Sequence, residues 1–116
     1  MYSSTGNIIK VTRGNAFKSN LYLKTKNGGR YVPEEGDRII LEVGFKRLRQ
    51  DKKDYAEKGA VLTVEIPSDT LKIRIEPEEI EKLPYDDLVY DVTIIHENGD
   101  PDTVIEGKDF IITKKV

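Results

Sequence analysis

The second half of the chain carries an ordered run of strand, turn and cap signals that leaves few folds open. Leu71–Ile75 alternates apolar and polar residues without a break, the period of a strand with one buried face. Glu76-Pro77-Glu78-Glu79-Ile80-Glu81-Lys82-Leu83-Pro84 follows. Proline fits the first helical position, acidic residues there complement the helix dipole, and Pro84 disfavours helix at Leu83. Ile80 and Leu83, three apart, can face the core together, so Pro77–Leu83 reads as a short helix crossing from one sheet to another. Leu88–Ile95 alternates again, with Leu88, Tyr90, Val92 and Ile94 inward. Asn98-Gly99 then closes a hairpin onto Thr103–Ile105 and, past a bulge or break at Glu106-Gly107-Lys108, onto Asp109–Thr113 with Phe110 and Ile112 inward.

The first half is punctuated more loosely. Ile8–Thr12 is a short strand stopped by Arg13-Gly14-Asn15, and Ala16–Thr25 follows with Phe17, Leu21 and Leu23 on one face. Asn27-Gly28-Gly29 is a turn signal, because Asn and Gly tolerate positive φ. Arg38–Phe45 is the clearest strand here, with Ile39, Leu41, Val43 and Phe45 at period two. Ala60–Ile66, with Leu62, Val64 and Ile66 inward, joins Thr70–Ile75 through the turn chemistry of Pro67-Ser68-Asp69. The expected fold is therefore all-β: an immunoglobulin-like β-sandwich of about seven antiparallel strands with one short crossover helix. With 116 residues it is expected to be a single domain over 1–116, with 1–7 as a flexible N-terminus.

Composition narrows the chemistry. The chain has no cysteine, which removes disulfides, thiolate catalysis and Cys-ligated zinc together and points to synthesis in a cytoplasm. No apolar run approaches the roughly 18 residues a membrane helix needs, and Met1–Asn7 lacks the features of a secretory signal. Histidine occurs once, as His96, which reads as an exposed residue at a strand end rather than a ligand or base. Ser3, Ser4, Ser19 and Ser68 lack a nucleophile elbow. The pairs Glu34/Glu35, Glu78/Glu79 and Asp86/Asp87 read as turn, cap and loop residues rather than a carboxylate dyad in a cleft. Asn98, Asp100 and Asp102 alternate like the opening of a calcium loop, yet Thr103 and Asp109 stand where that loop needs Gly and a bidentate Glu. Neither an enzyme, a metal site nor a cofactor is expected.

The net charge of −2 is unevenly distributed: residues 1–58 carry 13 Lys/Arg against 7 Asp/Glu, and residues 59–116 carry 6 against 14. If these halves became opposite surfaces, copies would associate head to tail. Lys46–Lys58 holds charge without apolar periodicity, so the core does not require it. Its cations Lys46, Arg47, Arg49, Lys52 and Lys53 are the candidate partner-binding residues. In an acidic chain with only Tyr55 near for stacking, they suit an acidic protein surface better than nucleic acid.

Several phrases in fixed order carry a resemblance over nearly the whole chain. They are Val11-Thr12-Arg13-Gly14, Tyr31-Val32-Pro33-Glu34-Glu35-Gly36-Asp37 running into Ile39, Leu41 and Val43, and Ile75-Glu76-Pro77-Glu78-Glu79. Leu83-Pro84-Tyr85-Asp86-Asp87-Leu88-Val89-Tyr90-Asp91-Val92, Asn98-Gly99-Asp100-Pro101-Asp102-Thr103-Val104-Ile105 and Phe110-Ile111-Ile112-Thr113 complete the set. In this order they resemble the immunoglobulin-like tail-module proteins of Gram-positive siphophages and prophages, in particular the N-terminal domain of baseplate upper proteins. The stretch Lys46–Lys58 is longer and more charged than that family's pattern. The resemblance implies a non-enzymatic virion structural module of the tail or baseplate. It would bind other phage structural proteins or itself, and would act in the virion after synthesis in the bacterial host cytoplasm. A second reading, from another class, is a carbohydrate- or ligand-binding sandwich at a cell surface, with tyrosines stacking on sugars.

Overall fold

The computed structural model describes residues 8–24, 29–45, 60–83 and 87–114. Within them the chain forms β1 (Ile9–Thr12), β2 (Phe17–Asn20), β3 (Arg38–Phe45), β4 (Ala60–Ile66), β5 (Lys72–Ile75), helix α1 (Pro77–Glu81), β6 (Asp87–Ile95) and β7 (Pro101–Thr113). The strands make two sheets, a five-stranded one in the order β1-β7-β6-β3-β4 and a two-stranded one of β2 and β5. The expected all-β sandwich arrangement is present. All pairings are antiparallel except that of β1, which lies parallel to β7 with Ile9 opposite Phe110 and Val11 opposite Ile112.

The core lies between the sheets because alternation along the strands points one residue in two inward. Ile39, Leu41 and Val43 of β3, Leu88, Tyr90, Val92 and Ile94 of β6, and Phe110 and Ile112 of β7 come from the large sheet. Ile73 and Ile75 of β5, with Leu21, Leu23 and Leu71 beside the small sheet, meet them. Tyr90 and Phe110 stack edge to face with ring centroids 6.5 Å apart. Ile66 is fully covered, whereas Leu62 and Val64 are only half-buried, as befits a strand at the sheet edge.

Helix α1 spans Pro77–Glu81, and Lys82 ends it, two residues short of the expected end at Leu83. Leu83 still closes the turn, donating its N–H to the Ile80 carbonyl at 3.1 Å, and both side chains are buried. Arg13, in the turn after β1, donates to the carbonyls of Ile80 and Glu81 at 3.3 and 3.4 Å. A cation is thereby set at the negative end of the helix. This helix carries the chain from the small sheet into the large one.

Strand β7 is continuous through the expected break. Tyr90 pairs with Lys108 and Val92 with Ile105, so β7 holds an extra residue opposite Asp91. Gly107, at φ +64, donates its N–H to Asp91 Oδ1 at 2.7 Å. A second shift lies between Val92 and Thr93 and leaves the neighbours Val104 and Ile105 both buried.

Candidate functional site

The cations Lys46, Arg47, Arg49, Lys52 and Lys53 lie outside the described residues, in the connection from β3 to β4. The polar centre that the structure assembles is elsewhere, where the β6–β7 hairpin meets the entry to β3. Asp37 is buried, only 7% exposed, and alone among charged described residues in being so. Its Oδ2 accepts from the Tyr31 hydroxyl at 2.7 Å and from the Glu34 backbone N–H at 2.9 Å. Its Oδ1 lies 3.1 Å from Nδ1 of His96. A carboxylate can only accept, so Nδ1 carries its proton. The other ring nitrogen, Nε2, is 3.6 Å from Asp102 Oδ2.

Local backbone sets these groups. Asp37 N–H bonds the Glu34 carbonyl at 3.0 Å, closing a tight turn with Gly36 at φ +90. A positive φ at this third turn position is what glycine supplies. A Cβ on Gly36 would also stand 2.9 Å from Glu97 Cβ, so glycine lets this turn reach the opposite hairpin. On that hairpin His96 bonds Asp100 through its N–H (3.0 Å), and Gly99 N–H bonds the His96 carbonyl (2.8 Å). Asn98 Oδ1 accepts from the Asp100 N–H at 3.0 Å, and Asn98 Nδ2 donates to Asp100 Oδ2 at 3.1 Å. The Asn98, Asp100, Asp102 series is thus spent on a turn and on His96. No group of three His, Asp or Glu residues suited to a metal ion occurs among the described residues.

The charge states follow. Burial pushes the Asp37 carboxyl up, but the hydrogen bonds from Tyr31, Glu34 N–H and His96, with the imidazole's charge, outweigh it and hold it below its ordinary value. His96 is raised, first by its hydrogen bond to Asp37, against some burial, and further by the charges of Asp37 and Asp102. Beside them is an open depression of about 530 Å³ lined by Glu34, Glu35, Asp37, His96, Glu97 and Asn98. An imidazole with a carboxylate at each nitrogen favours the protonated form and makes a poor proton acceptor. Its chemical capacity is to pin two connections together in a pH-dependent way.

His96 is therefore not the exposed strand-end residue that its position in the sequence suggests: its side chain is 27% exposed and ion-paired to a buried acid. Neither Asp37 nor Tyr31 stands out as a site residue in the sequence. A Tyr six residues before an Asp, across a Pro-Glu-Glu-Gly turn, was the available signal. Of the described tyrosines, Tyr31 and Tyr90 are buried and Tyr22 is exposed, so these residues offer no aromatic platform. Compared with known proteins, the sequence matches no family model and no curated protein.

Proposed function

We propose that this chain is a non-enzymatic structural module of a phage or prophage virion, an immunoglobulin-like sandwich of the tail or baseplate that mediates protein–protein assembly. The observation that carries the reading is the partition of the strands. The second and fifth form one sheet, while the first, third, fourth, sixth and seventh form the other, with a short helix between the fifth and sixth. Keeping the second and fifth strands in one sheet and the third, sixth and seventh in the other supports an immunoglobulin-like reading, with the first strand moved to the larger sheet and the fourth added beside the third. It agrees with the order of phrases that gave the resemblance to tail modules. The engagement of His96 by two carboxylates supports a binding role over a catalytic one. Sedimentation of lysate from a phage-producing culture, probed for this chain, tests the reading. The chain is expected in the fractions of particles or tails; recovery only with small soluble proteins would count against it.

A further inference from the structure

The outward residues of β2 and of the segment after it form one exposed stripe. Leu21 and Leu23 are buried, so alternation sends Lys18, Asn20, Tyr22 and Lys24 outward, and all four are exposed. Register in the small sheet sets Arg74 opposite Lys18 and Lys72 opposite Asn20, both exposed, and these four line an open depression of about 420 Å³. Past β2, Lys24 bridges Arg30 antiparallel and the Tyr31 N–H bonds the Leu23 carbonyl at 3.0 Å, so the same register brings Tyr22 beside Val32. At 67% and 69%, Tyr22 and Val32 are the most exposed large apolar residues among the described ones. Along the stripe a cationic pair, a cation beside an amide, an apolar pair and a second cationic pair follow one another about 6.6 Å apart, the advance of two strand residues. Arg74 is ion-paired with Glu76, which Lys18 also approaches, whereas Lys24, Arg30 and Lys72 pair with no acid among the described residues. Asp69, in the turn before β5, and Glu34, past Pro33, are the other acids near in sequence. The stretches outside the described residues carry 8 Lys/Arg against 4 Asp/Glu, and 25–28, which joins Lys24 to the segment of Arg30, carries Lys26 and no acid.

We propose that this stripe binds single-stranded nucleic acid, with phosphates on the cationic pairs and a base stacked on Tyr22 beside Val32. Charge complementarity and the order of the pairs point to that occupant. An apolar pair set between two cationic ones matches a polymer whose flat rings alternate with phosphates, and every base has a face to stack. An acidic protein surface would meet the cations but leave Tyr22 and Val32 facing charge. A duplex keeps its base faces inside the stack and gives Tyr22 nothing to cover. For the cations at 46–53, the lack of aromatic surface spoke against nucleic acid; on this stripe Tyr22 supplies it. The site goes beyond the assembly reading and does not depend on it, since a chain can sediment with virions whether or not it binds a single strand.

Fluorescence anisotropy of a labelled thymine oligonucleotide of about 12 nucleotides, titrated with the full chain, tests the site. At about 50 mM salt a Kd on the order of 10 μM is expected, with log Kd rising against log salt at a slope of about 2–3, as three or four phosphate contacts on a single strand give. Tyr22→Ala is expected to weaken binding about fivefold or more at an unchanged slope, and Tyr22→Phe to bind as the wild type does. Lys24→Ala/Lys72→Ala is expected to lower the slope by about 1.4. All of these change exposed residues, and unchanged circular dichroism shows that each variant is folded. Photo-cross-linking of a bromouracil-containing oligonucleotide to the wild type locates the contact without any variant and is expected on the peptide that holds Tyr22. No binding at low salt, binding by Tyr22→Ala as tight as the wild type's, or a cross-link within 46–58 in place of Tyr22 would each overturn the site. A sulfated polysaccharide that binds more tightly than the oligonucleotide and loses as much in Tyr22→Ala would overturn it too, in favour of an anionic glycan.

Discussion

Asp37 holds a charge where burial disfavours one, and three donors make that tolerable: the Tyr31 hydroxyl, the Glu34 N–H and the His96 ring. Removing the acceptor strands donors that folding has taken from water, and buried donors without a partner cost about 1–3 kcal/mol each. Asp37→Ala is therefore expected to lower the melting temperature by about 8 °C or more, at roughly 4 °C per kcal/mol for a chain of this size. The pH dependence has two edges. His96 has a raised folded pKa, so its contribution is full below its ordinary value of 6.5 and is lost as pH rises through the folded value. Asp37 has a lowered one, so its contribution is present above 3.8 and is lost as pH falls through the folded value. Melting curves from pH 4 to 9 should show a decline in the wild type above pH 6.5 that His96→Asn lacks. Parallel curves for the two proteins would mean that the imidazole stabilises nothing.

At the scale of elements, β3 and β4 keep the bounds that alternation suggests, Arg38–Phe45 and Ala60–Ile66. Both are stretches whose apolar residues recur at period two between clear breaks. β2 is shorter than its pattern, ending at Asn20 although Leu21 and Leu23 continue the buried series. Periodicity reports which side faces the core, not which backbone groups pair; beyond β2, Leu21 N–H bonds the Leu71 carbonyl and the pairing with β5 stops. The parallel seating of β1 on β7 left no local mark either, because both neighbours of a pairing are needed to see its sense. Nor is the Asp37–His96 contact legible, with its partners 59 residues apart and nothing beside either to announce the other. The connection from β3 to β4 carries the candidate partner-binding cations and no apolar period, so the core makes no demand on it. Reversing Lys46, Arg47 and Arg49 to Glu is expected to move the melting temperature by only a few degrees, since the sequence there has no apolar period for the core to use. The same change is expected to slow incorporation into particles, because charges at the rim of an interface act chiefly on association rate. Incorporation at the wild-type rate would make this connection a solvated turn and nothing more.

Across the whole molecule the parts serve rigidity and surface. Two sheets enclose one apolar core, Arg13 ties the crossover helix to the first turn, and the Asp37–His96 pair ties the entry to β3 to the last hairpin. On the outside, Lys18 and Arg74 stand opposite each other on the small sheet, and an acidic depression opens beside His96. In the reading proposed above, a body of this kind positions other proteins. An assembly module must be present in a set number in what it builds. Quantitative mass spectrometry of gradient-purified particles from the producing strain measures that directly. The account predicts a copy number per particle that repeats from one preparation to the next and keeps a constant ratio to the tail proteins; absence from particles, or traces that vary with washing, would contradict it.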